Sequence, residues 1–324
     1  MLSTYYKINL KYFSKLLLSV LNNTYLYIYL FIVLEIASYF GQSAYTLIRW
    51  TGHFFRSKDI FSSSVGRRGA LQIGLNNLKT AGITIADNGE VILNEYCRFE
   101  SRFALENIWI RKNNRERIIK AFNSDDLENL KKTLEKQQFI IATPHTSANY
   151  LFITLINILG HDAPCVIINP FAEKIKYPSP FQSVLLRVFT RWNEIAKFIF
   201  MQDGKVFERC KNILRSGRSL IIAPDTPFHS KNNETITFMN RKTGVASGIA
   251  VLAKQCGVRV LAVSHWAENC TSPYRINIKP IDVIDTLQCM QDIFHFFETG
   301  IKKNPTCWNG WLYWDLMDHV EYRE

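Results

Sequence analysis

The seven cysteines, Cys97, Cys165, Cys210, Cys256, Cys270, Cys289 and Cys307, lie far apart with no CxxC pair, and neither they nor the histidines gather at metal-ligand spacing. An odd, scattered set argues against a disulfide framework and fits a reducing compartment, with no metal expected. The Gly-x4-Gly-Lys-Ser/Thr order of a P-loop is missing, which excludes that nucleotide site. Acidic residues are few, 28 Asp and Glu against 39 Lys and Arg, so the chain carries a net charge of +11. That balance favours an anionic partner such as acidic lipid head groups, a phosphorylated carrier or nucleic acid. The basic residues are scattered, and no helix-turn-helix, zinc-finger or RNA-binding signature occurs, so nucleic acid is not expected. No internal repeat is present either.

A long apolar run is also absent. The N-terminal apolar core, Tyr25 to Leu34, is ten residues before Glu35 interrupts it, where about 20 are needed to cross a bilayer as a helix. The basic start lacks a small-residue cleavage site, which argues against a secretory signal. Residues 1 to 50 nevertheless differ from the rest, with Lys7, Lys11, Lys15, the single acid Glu35, and Tyr25, Tyr27, Tyr29, Tyr39, Tyr45 and Trp50 among leucines and isoleucines. This composition suits an interfacial helix with its rings at head-group level, and equally a helix hairpin packed on the protein's own core. The expected organisation is a helical, membrane-associating segment over 1–55 and an α/β domain over 56–324.

What is present is enough apolar residue, 47% of 324 positions, to bury a large α/β core. Residues 51 to 94 read as loop-rich from their glycines and serines, and residues 95 to 138 as helices, with Leu127, Leu130 and Leu134 behind the capping run Ser124-Asp125-Asp126. Strand and helix patterns then alternate. Strands are expected at 139–142, 165–168, 198–201, 219–223 and 258–263, and helices after Ser147 and over 181–189, 205–214 and 248–255. Such alternation implies a mostly parallel central sheet flanked by helices.

The stretch FIIATPHTSANYL, 139–151, places His145 just after a strand that Pro144 stops, at the sheet edge where α/β folds keep their chemistry. A lone histidine has many ordinary uses, but SLIIAPDTPFH repeats the design with Asp225, and two parallel strands ending in His and Asp would set a base beside the carboxylate that orients it. Asp225 is equally a turn former when taken alone. Arg241 and Lys242 beside Gly244 and a helix start offer a seat for phosphate, or a solvated basic turn. The small residues from Gly244 to Ala250 suit either an acyl tunnel or a tight helix–sheet contact. His229 reads as an exposed loop residue, His265 with Glu268 as a surface pair, and Trp308, Trp311 and Trp314 as packing or lipid-facing residues.

These blocks resemble the bacterial lipid A late acyltransferases. The strand with His145, then Asp225 followed by TFMNRKTGVASGIAVLAKQCGVRVLAV, then FFETGIKKNPTCWNGW with Asn304, Pro305, Trp308 and Trp311 stand in the family's order over about residues 95–315. The resemblance implies a histidine general base that deprotonates an acceptor, which attacks an acyl thioester on an acyl carrier protein or coenzyme A; no cofactor is implied beyond that co-substrate. The acceptor this implies is a lipid hydroxyl, while an amine, which needs less help from a base, is suggested by the departure at Tyr150. The expected place of work is the cytoplasmic side of the inner membrane, peripheral or N-terminally anchored, at the anionic surface that the net charge favours. The family's acid stands five positions after the histidine, and here that position is Tyr150. Asp225 replacing it, Asn149 or Tyr150 orienting the imidazole or touching substrate, and loss of catalysis in a lipid- or carrier-binding relative are the open readings. A thioester hydrolase is a third class.

Overall fold

The computed structural model describes residues 28, 32–57, 66–83, 89–167, 190, 192–201, 204–226, 233–312 and 314–317. The lysines at 7, 11 and 15, the helix expected over 181–189 and His229 lie outside those residues. The helices are α1 (Leu34–Ala37), α2 (Ser43–Ser57), α3 (Gly66–Thr80), α4 (Gly89–Arg111), α5 (Arg115–Lys120), α6 (Ser124–Lys136), α7 (Asn149–Ile158), α8 (Val206–Arg215), α9 (Gly248–Cys256) and α10 (Thr286–Ile301). The strands are β1 (Phe139–Ala142), β2 (Cys165–Ile167), β3 (Ile199–Phe200), β4 (Leu220–Ile222), β5 (Asn233–Phe238), β6 (Arg241–Ala246), β7 (Arg259–Trp266) and β8 (Arg275–Ile281).

Six strands form one sheet in the order β3-β2-β4-β1-β7-β8, parallel throughout except for the β7–β8 edge pair. β1 lies inside it between β4 and β7, and all four of its residues are buried. Phe139 and Ile141 face a core shared with α2, α4 and α7, whereas Ile140 and Ala142 face one shared with α9 and α10. A strand covered on both faces needs an unbroken apolar run, which is why FIIA shows no alternation. α6 feeds the chain into β1. Its cap is Asn123, one residue before the expected run, whose side chain accepts from the amides of Asp125 and Asp126, and Leu127, Leu130 and Leu134 form its buried stripe.

The structure departs from the sequence reading in several elements, among them β8, which was not expected as a strand. α2 continues to Ser57 and α3 is a helix despite three glycines, within a region expected to be loops. Each glycine costs a helix about 1 kcal/mol, and tertiary contact offsets it: Leu78 is buried and the Asn77 amide donates to the Trp311 carbonyl at 2.8 Å. The basic turn expected at 240–244 is the start of a strand, since β5 and β6 form an antiparallel hairpin that reverses at Met239 and Asn240, both at positive φ.

From Leu34 onward the N-terminal segment packs on α4, through Leu34, Ala37, Tyr45 and Ile48. A buried ion pair ties it down: Arg102 Nε lies 2.7 Å from Glu106 Oε1, with both side chains inaccessible. Glu106 also accepts from the hydroxyls of Tyr45 and Tyr274, and the Arg102 guanidinium lies over both rings. Among the described residues no helix is long and apolar enough to cross a membrane.

Candidate active site

Strand register builds the site. Ala142 at the end of β1 pairs with Ile222 at the end of β4, and each chain then runs three residues on, through Thr143-Pro144 to His145 and through Ala223-Pro224 to Asp225. Equal offsets on neighbouring parallel strands bring the two side chains together at the carboxyl edge of the sheet. His145 Nδ1 lies 2.7 Å from Asp225 Oδ1. The His145 amide and the Trp308 indole N–H both donate to Asp225 Oδ2, each at 2.8 Å.

Asp225 is fully buried, whereas a third of the His145 side chain is accessible. Burial alone pushes the Asp225 carboxyl upward, but the His145 charge, the imidazole and indole hydrogen bonds and the His145 amide outweigh it and hold it below the usual carboxylate range. For His145, burial pulls the other way and the charge and hydrogen bond of Asp225 win, so its pKa is raised. An ionised carboxylate only accepts hydrogen bonds. The Nδ1 of His145 therefore carries a proton, and in the neutral ring the basic lone pair is on Nε2.

Two further supports stand behind the turn. His265 of β7 is buried, with Nε2 2.8 Å from the Thr143 hydroxyl and Nδ1 bonded to the Thr146 hydroxyl. Burial drives its pKa down to about 3, so it is neutral. The surface pair expected of His265 and Glu268 is thus incorrect: residue 265 points into the core, and only Glu268 is exposed. The C-terminal segment also crosses the turn. Asn309 donates its amide to the His145 carbonyl and Ser147 donates to the Cys307 carbonyl, both at 2.8 Å.

His145 opens on a cavity of about 510 Å³. Its walls are largely apolar, with Ile153, Val166, Val206, Phe207, Ile222, Ile249 and Leu252, and Asn149 and Tyr150 of α7, Ala246 at the end of β6 and Gly248 at the start of α9 also line it.

A comparison with protein families finds that the profile described as bacterial lipid A biosynthesis acyltransferase matches residues 32–314. The chain belongs to this family. Among solved structures, the chain is similar to the crystal structure of the 1-acyl-sn-glycerophosphate (LPA) acyltransferase PlsC from Thermotoga maritima, at 16% identity over 75% of this chain and 98% of that one, with a TM-score of 0.34. At that score the likeness is slight. No curated protein gives a match.

Within this lipid A acyltransferase-family chain, four of the sequence-derived candidates share the site: His145, Asp225, Asn149 and Tyr150. Tyr150 does not touch the imidazole through any hydrogen bond; it stacks on Trp192 with ring centroids 3.9 Å apart, and burial raises its pKa to about 12. Asn149 is buried with its Oδ1 unpartnered. Arg241, Lys242 and Gly244 are not among the residues lining the cavity. They lie in β6, where Arg241 donates to the Trp314 carbonyl at 2.8 Å and rests on its indole, Lys242 is exposed, and Gly244 faces the Met317 carbonyl. Trp308 and His265 stand beside the pair, where sequence reasoning did not place them. An indole that opens a run of three spaced three apart reads as packing, and only the fold brings it to a carboxylate. Among the described residues no cluster could hold a metal ion.

Proposed function

We propose that this acyltransferase-family chain moves a fatty acyl group from a thioester of acyl carrier protein or coenzyme A to a hydroxyl or amine of a lipid or amine acceptor, with His145 as general base. The observation that carries the reading is the His145–Asp225 pair opening on an apolar cavity. In the proposed step, Nε2 of His145 takes the acceptor's proton, the acceptor oxygen or nitrogen bonds to the thioester carbonyl carbon, and the C–S bond breaks to release the carrier thiol. Asp225 holds the imidazole and stabilises the imidazolium. The cavity falls within the size of small-molecule sites, about 300–1,000 Å³, and its apolar walls suit an acyl chain. Ala246, Gly248 and Ile249 bring the positive end of α9 to the same space, where carbonyl charge would develop.

The test is release of free thiol from an acyl thioester, followed by mass spectrometry of the acceptor. Transfer predicts acceptor-dependent release that His145→Ala abolishes. Release with water alone would make the chain a hydrolase, and no release with any acceptor would favour a non-catalytic carrier- or lipid-binding relative. Ester and amide products separate the two acceptor classes.

We further propose that residues 28–50 dock on an anionic membrane face on the cytoplasmic side. In support, Ile28, Ile32, Ile36, Tyr39, Phe40, Leu47 and Trp50 are all exposed, Trp50 at 74%. Cations border them: Lys112 lies over the Tyr39 ring, Arg117 donates to the Tyr39 carbonyl, and Arg49 is exposed beside Trp50. Apolar rings edged by cations are what an anionic interface binds. Flotation with phosphatidylglycerol-containing vesicles should carry the protein, and Phe40→Ser with Trp50→Ser should weaken it. Equal flotation of wild type and the double variant would reject this surface.

A further inference from the structure

The carboxylate behind His145 is itself held by a residue that comes from the far end of the chain. Asp225 Oδ1 faces the imidazole, and Oδ2 takes the His145 amide and the Trp308 indole N–H. Donors on both oxygens fix the plane of the carboxylate, and with it the plane of the imidazole. The indole has no exposed surface. Phe238 and Trp311 meet it edge to face, with ring centroids 5.5 and 4.7 Å away.

The chain around Trp308 is built to deliver that N–H in one register. The Cys307 carbonyl and the Asn309 amide bond to Ser147 and His145 respectively, so two rungs flank Trp308 and lock it opposite Thr146. Upstream, the Asn304 amide donates to the Ala267 carbonyl at 2.7 Å, and its Oδ1 accepts from the Thr306 amide. Downstream, a Cβ on Gly310 would stand 2.1 Å from the Trp308 ring, so only glycine admits the indole where it lies.

We propose that Trp308 is a positioning residue for the transfer step, acting through Asp225 to set the orientation and basicity of His145. The inference rests on the reading of His145 as base. A neutral donor on Oδ2 disperses part of the carboxylate's charge. Without it, more charge faces the imidazole, which becomes a stronger base but a less well-aimed one. Filling space in the core would do neither.

The decisive variant replaces Trp308 by β-(benzothienyl)alanine, which keeps the bicyclic shape and removes the N–H; Trp308→Phe is its simpler companion. Protein labelled with ¹⁵N-histidine gives the titration midpoint and tautomer of His145, assigned by the signal lost in His145→Ala, with no substrate needed. We expect the isostere to keep the wild-type melting transition, to raise the His145 midpoint, and to lower kcat about ten-fold, as loss of a hydrogen bond to a charged group does, with KM for the thioester unchanged. An isostere with the wild-type midpoint and kcat would reduce Trp308 to packing and overturn the proposal. Wild-type turnover by His145→Ala would instead remove the base assignment, and the midpoint alone would then decide whether the indole governs the imidazole.

Discussion

Nδ1 of His145 meets Oδ1 of Asp225 at 2.7 Å across 80 residues of chain, so the acid in this site arrives by strand pairing. Position 150, on the helix that follows His145, holds a tyrosine that stacks on Trp192. The two ways of supplying a carboxylate differ in what they make rigid. A residue just past β4 is placed by the sheet, and its partner just past β1 is placed by the same ladder.

Asp225→Asn should therefore cost about 10⁴ in kcat, the loss seen when a base loses the carboxylate that sets its tautomer. Tyr150→Phe should stay within about three-fold, since the ring packs and no hydrogen bond from it reaches His145. Thiol-release kinetics on both variants check this; a larger loss from Tyr150→Phe would move the orienting role to position 150.

The pair also fixes the sign of a pH dependence. With His145 as the proposed base, the active form would need His145 neutral and Asp225 ionised. His145 titrates above the ordinary histidine value of about 6.5 and Asp225 below the ordinary carboxylate value. The acid limb of kcat/KM should thus belong to His145 and lie above pH 6.5. Asp225→Asn removes the charge that raises it, so the limb should move down. For stability, the His145 share is complete below pH 6.5 and is lost as pH rises through its raised value. The Asp225 share is present above pH about 4 and is lost on acidification through its lowered value.

His265 works in the opposite direction. Its folded pKa of about 3 lies far below the unfolded value, so between pH 6.5 and 5 the unfolded chain binds a proton that the folded chain refuses. Stability should fall by up to about 1.4 kcal/mol per pH unit from this residue alone. Urea titrations at pH 6.5 and 5 should show that slope reduced in His265→Asn, whose amide occupies the Nδ1 position facing Thr146. An unchanged slope would mean that residue 265 titrates normally.

The five parallel strands of the sheet were legible because buried parallel strands leave apolar runs, two of them closed by proline, as in FIIATP and LIIAP, whereas the antiparallel edge strand β8 was not among the expected strands. Asp225 was legible for the same reason, since two strand ends of one design imply one edge. Other features were not. The strand at Arg241 was hidden by a glycine and two cations that read as a turn, although the alternation of Thr243 and Val245 inward was there. The helix at 66–80 was hidden by glycines whose cost is met by a contact 234 residues away with Trp311. Trp308 and His265 contact the site only through the fold, and no local pattern signals either.

Gly300 of α10 approaches β7 so closely that a Cβ would fall 1.7 Å from the Ser264 hydroxyl oxygen and 2.8 Å from Ser264 Cβ. Ser264 is the neighbour of His265, so overpacking here presses on the strand behind the active-site turn. Gly300→Ala should lower stability by about 1–3 kcal/mol despite the better helix propensity of alanine. Ser264→Gly in the same chain should recover most of the loss. Chemical denaturation of the two single variants and the double variant tests this as a cycle; additive losses would show that the two positions do not meet.

Gly248 offers the opposite situation and a direct probe of the proposed acyl site. It opens α9 at the cavity wall, has ordinary negative φ, and a Cβ there would meet nothing within 4 Å. A larger side chain can therefore enter without moving backbone, and helix propensity even favours it. Leucine would place four carbons in the space assigned to the acyl chain and displace methylenes whose burial contributes about 0.8 kcal/mol each. Gly248→Leu should retain the melting temperature and turn over acetyl thioesters within about three-fold, while kcat/KM for dodecanoyl thioesters falls at least ten-fold. Equal losses for both donors would mean that Gly248 serves the reacting carbonyl. No loss for either would mean that the chain binds elsewhere, and that the cavity beside His145 is not where the fatty tail lies.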